Sequence, residues 1–477
     1  MSTAARSPAH FKREAHDALQ RPNLKVGLDR TIGLLQTRRR DVLAKYPNFE
    51  ETRELGARIK DHTLQHLDHY LAAFEKNATA AGAVVHWAET PAEACRIVVD
   101  LCRQADARSV TRVKSMLGEE IGLPKALADA GIERVETDLA EHIIQLADEP
   151  PSHIVIPAMH KTREEVAGLF AEHHQDPMVE GEGDDLNVGV LVESARQELR
   201  PKYVGADVGI SGANFLIAST GSVCTVTNEG NAELTTELPR MHIVTAGIEK
   251  VVPTPDDALV LLRLLARSAL GIEFTQYTSF FTGPRRADET SGPQEMHIVL
   301  VDNNRTQMLA SEMKPMLRCI RCAACINHCP VYSVIGGHPY GSTYPGPMGS
   351  VLTPAMQSLD EARDLPHACT LNGRCAEVCP VKIPLPDLIR SLRDDTWRRK
   401  LVPKPARLAV QGWAWVAARP ALYRLVAGLR NRALRLWARG RPTIRSLPLA
   451  GGWTSQRDLP APTGPTFMAQ YKAGRRK

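Results

Sequence analysis

The chain has 477 residues, 43% of them apolar and 24% charged, and a net charge of +5 at neutral pH. That length accommodates two or three domains with substantial cores, and the composition is ordinary for a soluble protein, which argues against disordered and membrane-embedded classes. The longest apolar run, over residues 408–418, ends at Arg419 well short of a membrane span, and the N-terminus has neither the apolar core of a signal peptide nor a twin arginine. A cytoplasmic setting is expected.

Residues 1–69 read as a helical N-terminal extension. They are polar and helix-prone, with Lys and Arg interleaved with Leu over 24–46 and again from 53 to 74. Short apolar runs then alternate with amphipathic stretches. Strands are expected at 84–87, 109–114, 135–137, 154–156, 215–218, 223–226, 242–246 and 297–301, with helices at 91–105 and 124–130. Strands alternating with helices of ten to fifteen residues predict an α/β domain with a largely parallel sheet, placed at 70–303.

Within it, small residues crowd the stretches 205–215, 219–222 and 227–231. Such clusters at strand ends leave amides free for an anion or a nucleotide-like group, or they are simply tight turns. Neither GxGxxG nor GxxxxGK[ST] occurs, so dinucleotide and P-loop chemistry find no support. Glu229, Asn228 and Glu249 are acid/base candidates, and Lys114 with Glu119 and Glu120 lies at a strand-to-helix junction where ligands often bind. Solvated surface charge is the commoner reading for any one of them. His153, His160 and Lys161 flank the 154–156 run, where hydrogen bonding is the ordinary role. Cys95 and Cys102 share a helix face, and together with Cys224 read as buried small hydrophobes.

The segment 304–395 carries seven of the ten cysteines. One run is Cys319-x₂-Cys322-x₂-Cys325-x₃-Cys329-Pro330 and the next is Cys369-x₅-Cys375-x₃-Cys379-Pro380. The first has bacterial-ferredoxin spacing, in which three thiolates hold one cluster and the fourth reaches a second. Zinc also binds CxxC pairs, but rarely four cysteines at these intervals followed by proline. Cross-ligation gives cluster one Cys319, Cys322, Cys325 and Cys379, enough for [4Fe–4S]. Cluster two receives Cys329, Cys369 and Cys375, because Asn372 stands where a fourth cysteine would be. The succinate dehydrogenase iron–sulfur subunit is similar here, and its site holds [3Fe–4S]. A neutral amide is a poor iron ligand beside thiolate, so the second site is either [3Fe–4S] or a [4Fe–4S] completed by another donor. Cysteines used this way favour a reducing compartment. The middle of the segment, 336–349, is loop-like, and a helix follows Pro386 through to Trp397.

The region 396–477 is a basic tail. It lacks acidic residues as far as Gln456 and holds five of the six tryptophans. Trp413, Trp415, Arg419, Arg424, Arg430, Arg432, Arg435 and Trp437 suit helical docking to a redox partner first and a peripheral membrane surface second. No nucleic acid is expected, although Arg and aromatic residues can stack on one.

The stretches 207–215, 227–234 and 247–253, with 114–121 and 149–154, resemble the LUD domain of lactate-utilization proteins. A LUD domain followed by a twin-cluster, ferredoxin-type helical iron–sulfur domain and a basic helical tail is similar to lactate-utilization protein B, the iron–sulfur subunit. The resemblance implies a LUD sheet like those of sugar-phosphate isomerases and CoA transferases. It also implies a cytoplasmic system oxidising L-lactate to pyruvate, with a cysteine-rich-domain protein and a second LUD protein as partners. Two [4Fe–4S] clusters are implied as well, an expectation from which Asn372 departs. It assigns no catalytic residue in the LUD domain, so whether this subunit is itself an enzyme is left open.

Overall fold

In a computed structural model, which describes residues 7–448, 451–454 and 457–474, the alternating apolar runs form strands in chain order. They are β1 (Val84–Ala88), β2 (Ser109–Arg112), β3 (Glu133–Glu136), β4 (Val208–Gly212) and β5 (Phe215–Ile217). After them come β6 (Ser222–Thr227), β7 (Met241–Gly247), β8 (Val251–Val252), β9 (Tyr277–Phe281) and β10 (Glu295–Val301). Six make one sheet in the order β1-β10-β7-β4-β2-β3, every pair parallel. A parallel sheet is covered on both faces, so its central strands are apolar without alternation. All seven residues of β7 are buried accordingly.

One face is packed by the helices Pro91–Gln104, Met116–Ile121 and Leu123–Asp129, whose core includes Cys95, Cys102, Leu123 and Leu127 against Val110, Ile210 and Ile243. The helix Leu67–Ala80 packs with Leu216, Val244 and Ile298 in a second core. Here lies a second sheet, ordered β8-β5-β6-β9, with β5–β6 and β6–β9 antiparallel and β5–β8 parallel. Its β5–β6 turn needs Gly221: φ is +68°, and a Cβ would come 2.2 Å from the Ala78 amide.

Three expectations change. Residues 154–156 form bends rather than a strand, because the His153 Nδ1 accepts the amides of Val155 and Ile156 at 3.2 and 3.0 Å and so competes with any ladder. The glycine-bearing stretch 208–212, read as a turn or ligand loop, is instead a central strand. Gly209 allows the helix Asn231–Glu237 to approach so closely that a Cβ would lie 1.8 Å from the Thr235 carbonyl. Within 336–349, the loop gives way at Gly346 to the helix Gly346–Met356.

The polar N-terminal residues form the helices Pro22–Ala44 and Phe49–Gln65 before Leu67–Ala80. Gly56 lies where a Cβ would meet Leu264 at 2.5 Å, with Val381 at 3.8 Å, so Phe49–Gln65 is wedged between the helix Pro255–Ala269 and the second cysteine loop. Residues up to Thr396 form one compact unit, and those from Trp397 a second. The second unit contains the helices Lys404–Ala417 and Pro420–Ala438. No side chain of Lys404–Ala417 is buried, and Leu408, Trp413 and Trp415 are 68%, 64% and 57% exposed. Among the described residues no helix is long and apolar enough to cross a membrane.

Candidate functional site

The two cysteine runs are offset by fifty positions, 319/369, 322/372, 325/375 and 329/379, and their backbones repeat. Arg321 and Leu371, just before the second position, both have left-handed φ, +61° and +56°. Ala323 and Gly373, just after it, have +60° and +84°. These tight left-handed corners turn each loop around its sulfurs. Cys319, Cys322, Cys325 and Cys379 face one small apolar enclosure shared with Met316, Ile320, Met348 and Val381. The neighbours pressing on Cys375 are instead Cys369 and Cys329. The fourth cysteine of each run therefore lies with the other run's set.

All seven are free thiols. Burial, reinforced by neighbouring sulfurs, pushes Cys375 up to about 12 and Cys379 up to about 11, so without a cation they are neutral. Amides point at sulfur: Ile383 donates to Cys379 at 3.3 Å, Leu371 to Cys369 at 3.3 Å, and Tyr332 to Cys329 at 3.5 Å. Four thiolates around a single tetrahedral zinc would lie roughly 3.8 Å apart at a Zn–S distance of about 2.3 Å. Among the described residues, no three of these sulfurs lie within 4.8 Å of one another. The donor set, the amide dipoles and this wide spacing fit a multi-iron sulfide core with thiolates at its corners better than a lone ion.

At the second set the missing corner has a visible cause. Asn372 is exposed, and its side-chain oxygen accepts the Arg374 amide at 3.2 Å, capping the short turn Arg374–Glu377. Its side-chain oxygen is thus engaged with its own loop backbone. Tyr340, 2% exposed, brings its hydroxyl against Cys329.

The N-terminal helices grip the cluster loops, a role that their polar pattern did not disclose. Arg53 donates to the Cys379 carbonyl at 3.0 and 2.7 Å, Arg39 to Val378 O at 3.1 Å, and Gln36 to Asn327 O at 2.6 Å. The same lobe is joined to the α/β region by buried His153, 3.1 Å from Asn327 Oδ1, and by Tyr332 donating to Ser152 O at 2.9 Å. His160 and Lys161 both bind Glu149, each at 2.7 Å. Together with His338, Glu149 and His160 bring three ligand atoms within 4.8 Å, but the Lys161 ammonium already takes one carboxylate oxygen.

A cavity of about 360 Å³ opens where β4, β6 and β7 end, and it reaches the first cysteine loop through Arg321 and Tyr344. Glu249, 2% exposed, is held by Arg305 at 2.5 Å and Arg321 at 3.3 Å. Burial pushes its carboxyl up, but the two guanidinium groups outweigh that and hold it at about 2. A carboxylate held so low is a weak base. Glu229 lines the same cavity, and burial, with Asp138 nearby, raises its carboxyl while it accepts the Leu139 amide at 3.3 Å. Lys114 is tied to Val155 O at 2.7 Å and lies 3.7 Å from Asp138. Glu120 forms a bidentate pair with Arg305 at 2.9 and 3.0 Å, and Glu119 pairs with Arg112. Asn228 caps Gln276 at 3.3 Å. Of the polar candidates, the cavity gathers Lys114, Asn228, Glu229 and Glu249.

Comparison with known proteins adds three matched regions. A "LUD domain" covers residues 71–301, a "4Fe-4S dicluster domain" 315–383, and "Lactate utilisation protein B, C-terminal" 400–474. The chain is 39% identical over 467 residues to lactate utilization protein B of Bacillus cereus (strain B4264), covering 98% of this chain and 97% of the relative. It is 38% identical over 466 residues to "Uncharacterized electron transport protein YkgF" of Escherichia coli (strain K12), with the same coverage. A crystal structure of a DUF162 family protein from Deinococcus radiodurans aligns with 49% of this chain and 98% of its own, at 12% identity and a TM-score of 0.28, a likeness too loose to bear on the fold. Relatives this similar along nearly the whole length decide the matter: the chain belongs to the lactate utilization protein B family, iron–sulfur proteins with a LUD domain.

Proposed function

We propose that this chain is the electron-transferring, iron–sulfur subunit of a cytoplasmic complex that oxidises L-lactate to pyruvate. The observation that carries this reading is the sorting of seven cysteines into two sets, the first of them sharing its loop with the wall of the LUD cavity. Cys319, Cys322, Cys325 and Cys379 would hold a [4Fe–4S] cluster, and Cys329, Cys369 and Cys375 a [3Fe–4S] cluster, since Asn372 is committed to its own turn. When bound, such clusters supply one-electron transfer. The chain's contribution is burial, N–H···S donors and the Tyr340 hydroxyl at Cys329, the features that set a cluster's potential. Partners are the cysteine-rich-domain protein and the second LUD protein. They would dock on the exposed Trp413, Trp415 and Leu408 in the acid-free stretch of the tail, which also suits a redox protein or an anionic membrane surface.

A second reading is favoured by the cavity's contact with the first cysteine loop: the LUD domain performs the oxidation, with the clusters as internal electron sink. Glu229, whose carboxyl is raised, is then the base, because Glu249 is locked in ion pairs. Lactate-dependent reduction of an artificial acceptor separates the two. The first reading expects turnover only when the partner proteins are added to the cluster-loaded chain. Turnover by the chain alone establishes the second, and none in the complete mixture contradicts both.

A further inference from the structure

The end of the LUD cavity nearest the cysteines carries more positive than negative charge. Lys60, Lys250, Arg305 and Arg321 converge there on the carboxylates Glu249 and Glu120. Two of the four cations are used up. The Lys60 ammonium donates to the Glu249 carbonyl at 2.5 Å, and Arg305 spends its guanidinium on Glu249, Glu120 and the Asp302 carbonyl. The other two keep donors to spare. Among the described residues Arg321 makes one hydrogen bond, at 3.3 Å to Glu249, and otherwise lies over the Tyr344 ring at 4.7 Å. Lys250 follows Glu249 in the chain, lines the cavity, and its ammonium meets no hydrogen-bond or ion-pair partner among the described residues. A half-buried ammonium on a cavity wall with no hydrogen-bond partner is left to water or to an anion that enters the cavity.

We infer that the cavity is a binding site for a small carboxylate, gripped by Lys250 and Arg321. Arg321 presents a planar fork suited to two carboxylate oxygens, and Lys250 adds a point charge beside it. Arg321 lies between Cys319 and Cys322, so a carboxylate held there is seated against the first thiol set. Among the other polar lining residues, Asn214, Thr227 and Glu229 can meet a neighbouring hydroxyl or carbonyl. The cavity is larger than a three-carbon acid, so charge rather than volume selects the ligand. That the acid is a 2-hydroxy or 2-oxo monocarboxylate rests on the lactate reading above; the anion site itself does not.

Calorimetric titration of the full-length, cluster-loaded chain, without partners, tests this with pyruvate, L-lactate and inorganic phosphate as probes. Saturable binding of pyruvate and lactate, tighter than phosphate, is expected. Lys250→Gln should weaken it tenfold or more, about what one charge-assisted hydrogen bond contributes, and Lys250→Arg should restore most of it, both with unaltered cluster spectra. No binding by the wild-type chain, phosphate binding as tightly as pyruvate, or an unchanged affinity in Lys250→Gln would each overturn the assignment. Because partners are left out, a failed lactate assay in the complete mixture leaves this result readable on its own.

Discussion

Asn372 and Cys322 occupy the same point of two loops that repeat in backbone, yet one side chain caps a turn in solvent and the other is buried among thiols. Asn372→Cys should therefore place a fourth thiol at the second set. The expected outcome is loss of an oxidised three-iron spin-resonance signal and a gain of one iron per chain; an unchanged spectrum would show that the sets are paired differently. The cysteines could be found from the chain alone because ligands of one cluster lie mostly within a few residues of each other. The cations at the cavity could not. Lys250 and Arg321 are seventy-one positions apart, ordinary charges in sequence, and only folding makes them neighbours of one cavity. Glu229 and Glu249 looked alike as sequence candidates, and the two arginines bonded to Glu249 are what distinguish them.

At the scale of elements, β7 and β10 were legible because central parallel strands buried on both faces show as apolar runs, and β1, β2 and β3 because short strand-like runs alternate there with helices. β4 was hidden by its glycines, which serve close packing rather than a turn. Gly209→Ala would drive a Cβ into the Thr235 carbonyl, so a loss of roughly 1–3 kcal/mol or more is expected in thermal or urea unfolding. A variant as stable as wild type would mean that this contact is slack. The α/β region also holds buried neutral histidines, His142 on the helix Leu139–Leu146 and His242 on β7. Burial pushes His142 down to about 4 and His242 to about 3, against 6.5 for the unfolded chain. Between those limits the unfolded chain takes up protons that the folded one refuses. This share of stability is thus complete above pH 6.5 and drains away as pH falls towards 4 and 3, by up to about 1.4 kcal/mol per unit per group. His142→Gln should flatten the dependence of unfolding free energy on pH between 7 and 5, and an equal slope would count against a neutral, buried His142.

Across the whole molecule, the N-terminal helices are the least expected part of the design. Their sequence shows only polarity and helix propensity, but Arg39 and Arg53 donate to carbonyls of the second cysteine loop while Lys60 reaches the strand end at Glu249. Arg53→Ala should loosen that loop and speed loss of iron to a chelator several-fold, with little change in the LUD core; an unchanged rate would mean that the loop holds itself. The tail, by contrast, was read correctly as helical and basic, and its exposed tryptophans bear little on its own stability. Trp413→Ala with Trp415→Ala should shift the unfolding midpoint little but abolish co-purification with partner subunits, and retention of that binding would move the docking surface elsewhere. The central claim, that distant cysteines converge to hold iron and sulfide for electron transfer, is tested most directly by spin resonance with iron and sulfide analysis of oxygen-free protein. A three-iron signal in the oxidised state and a four-iron cube signal after reduction are predicted. Colourless protein containing only zinc would contradict the account.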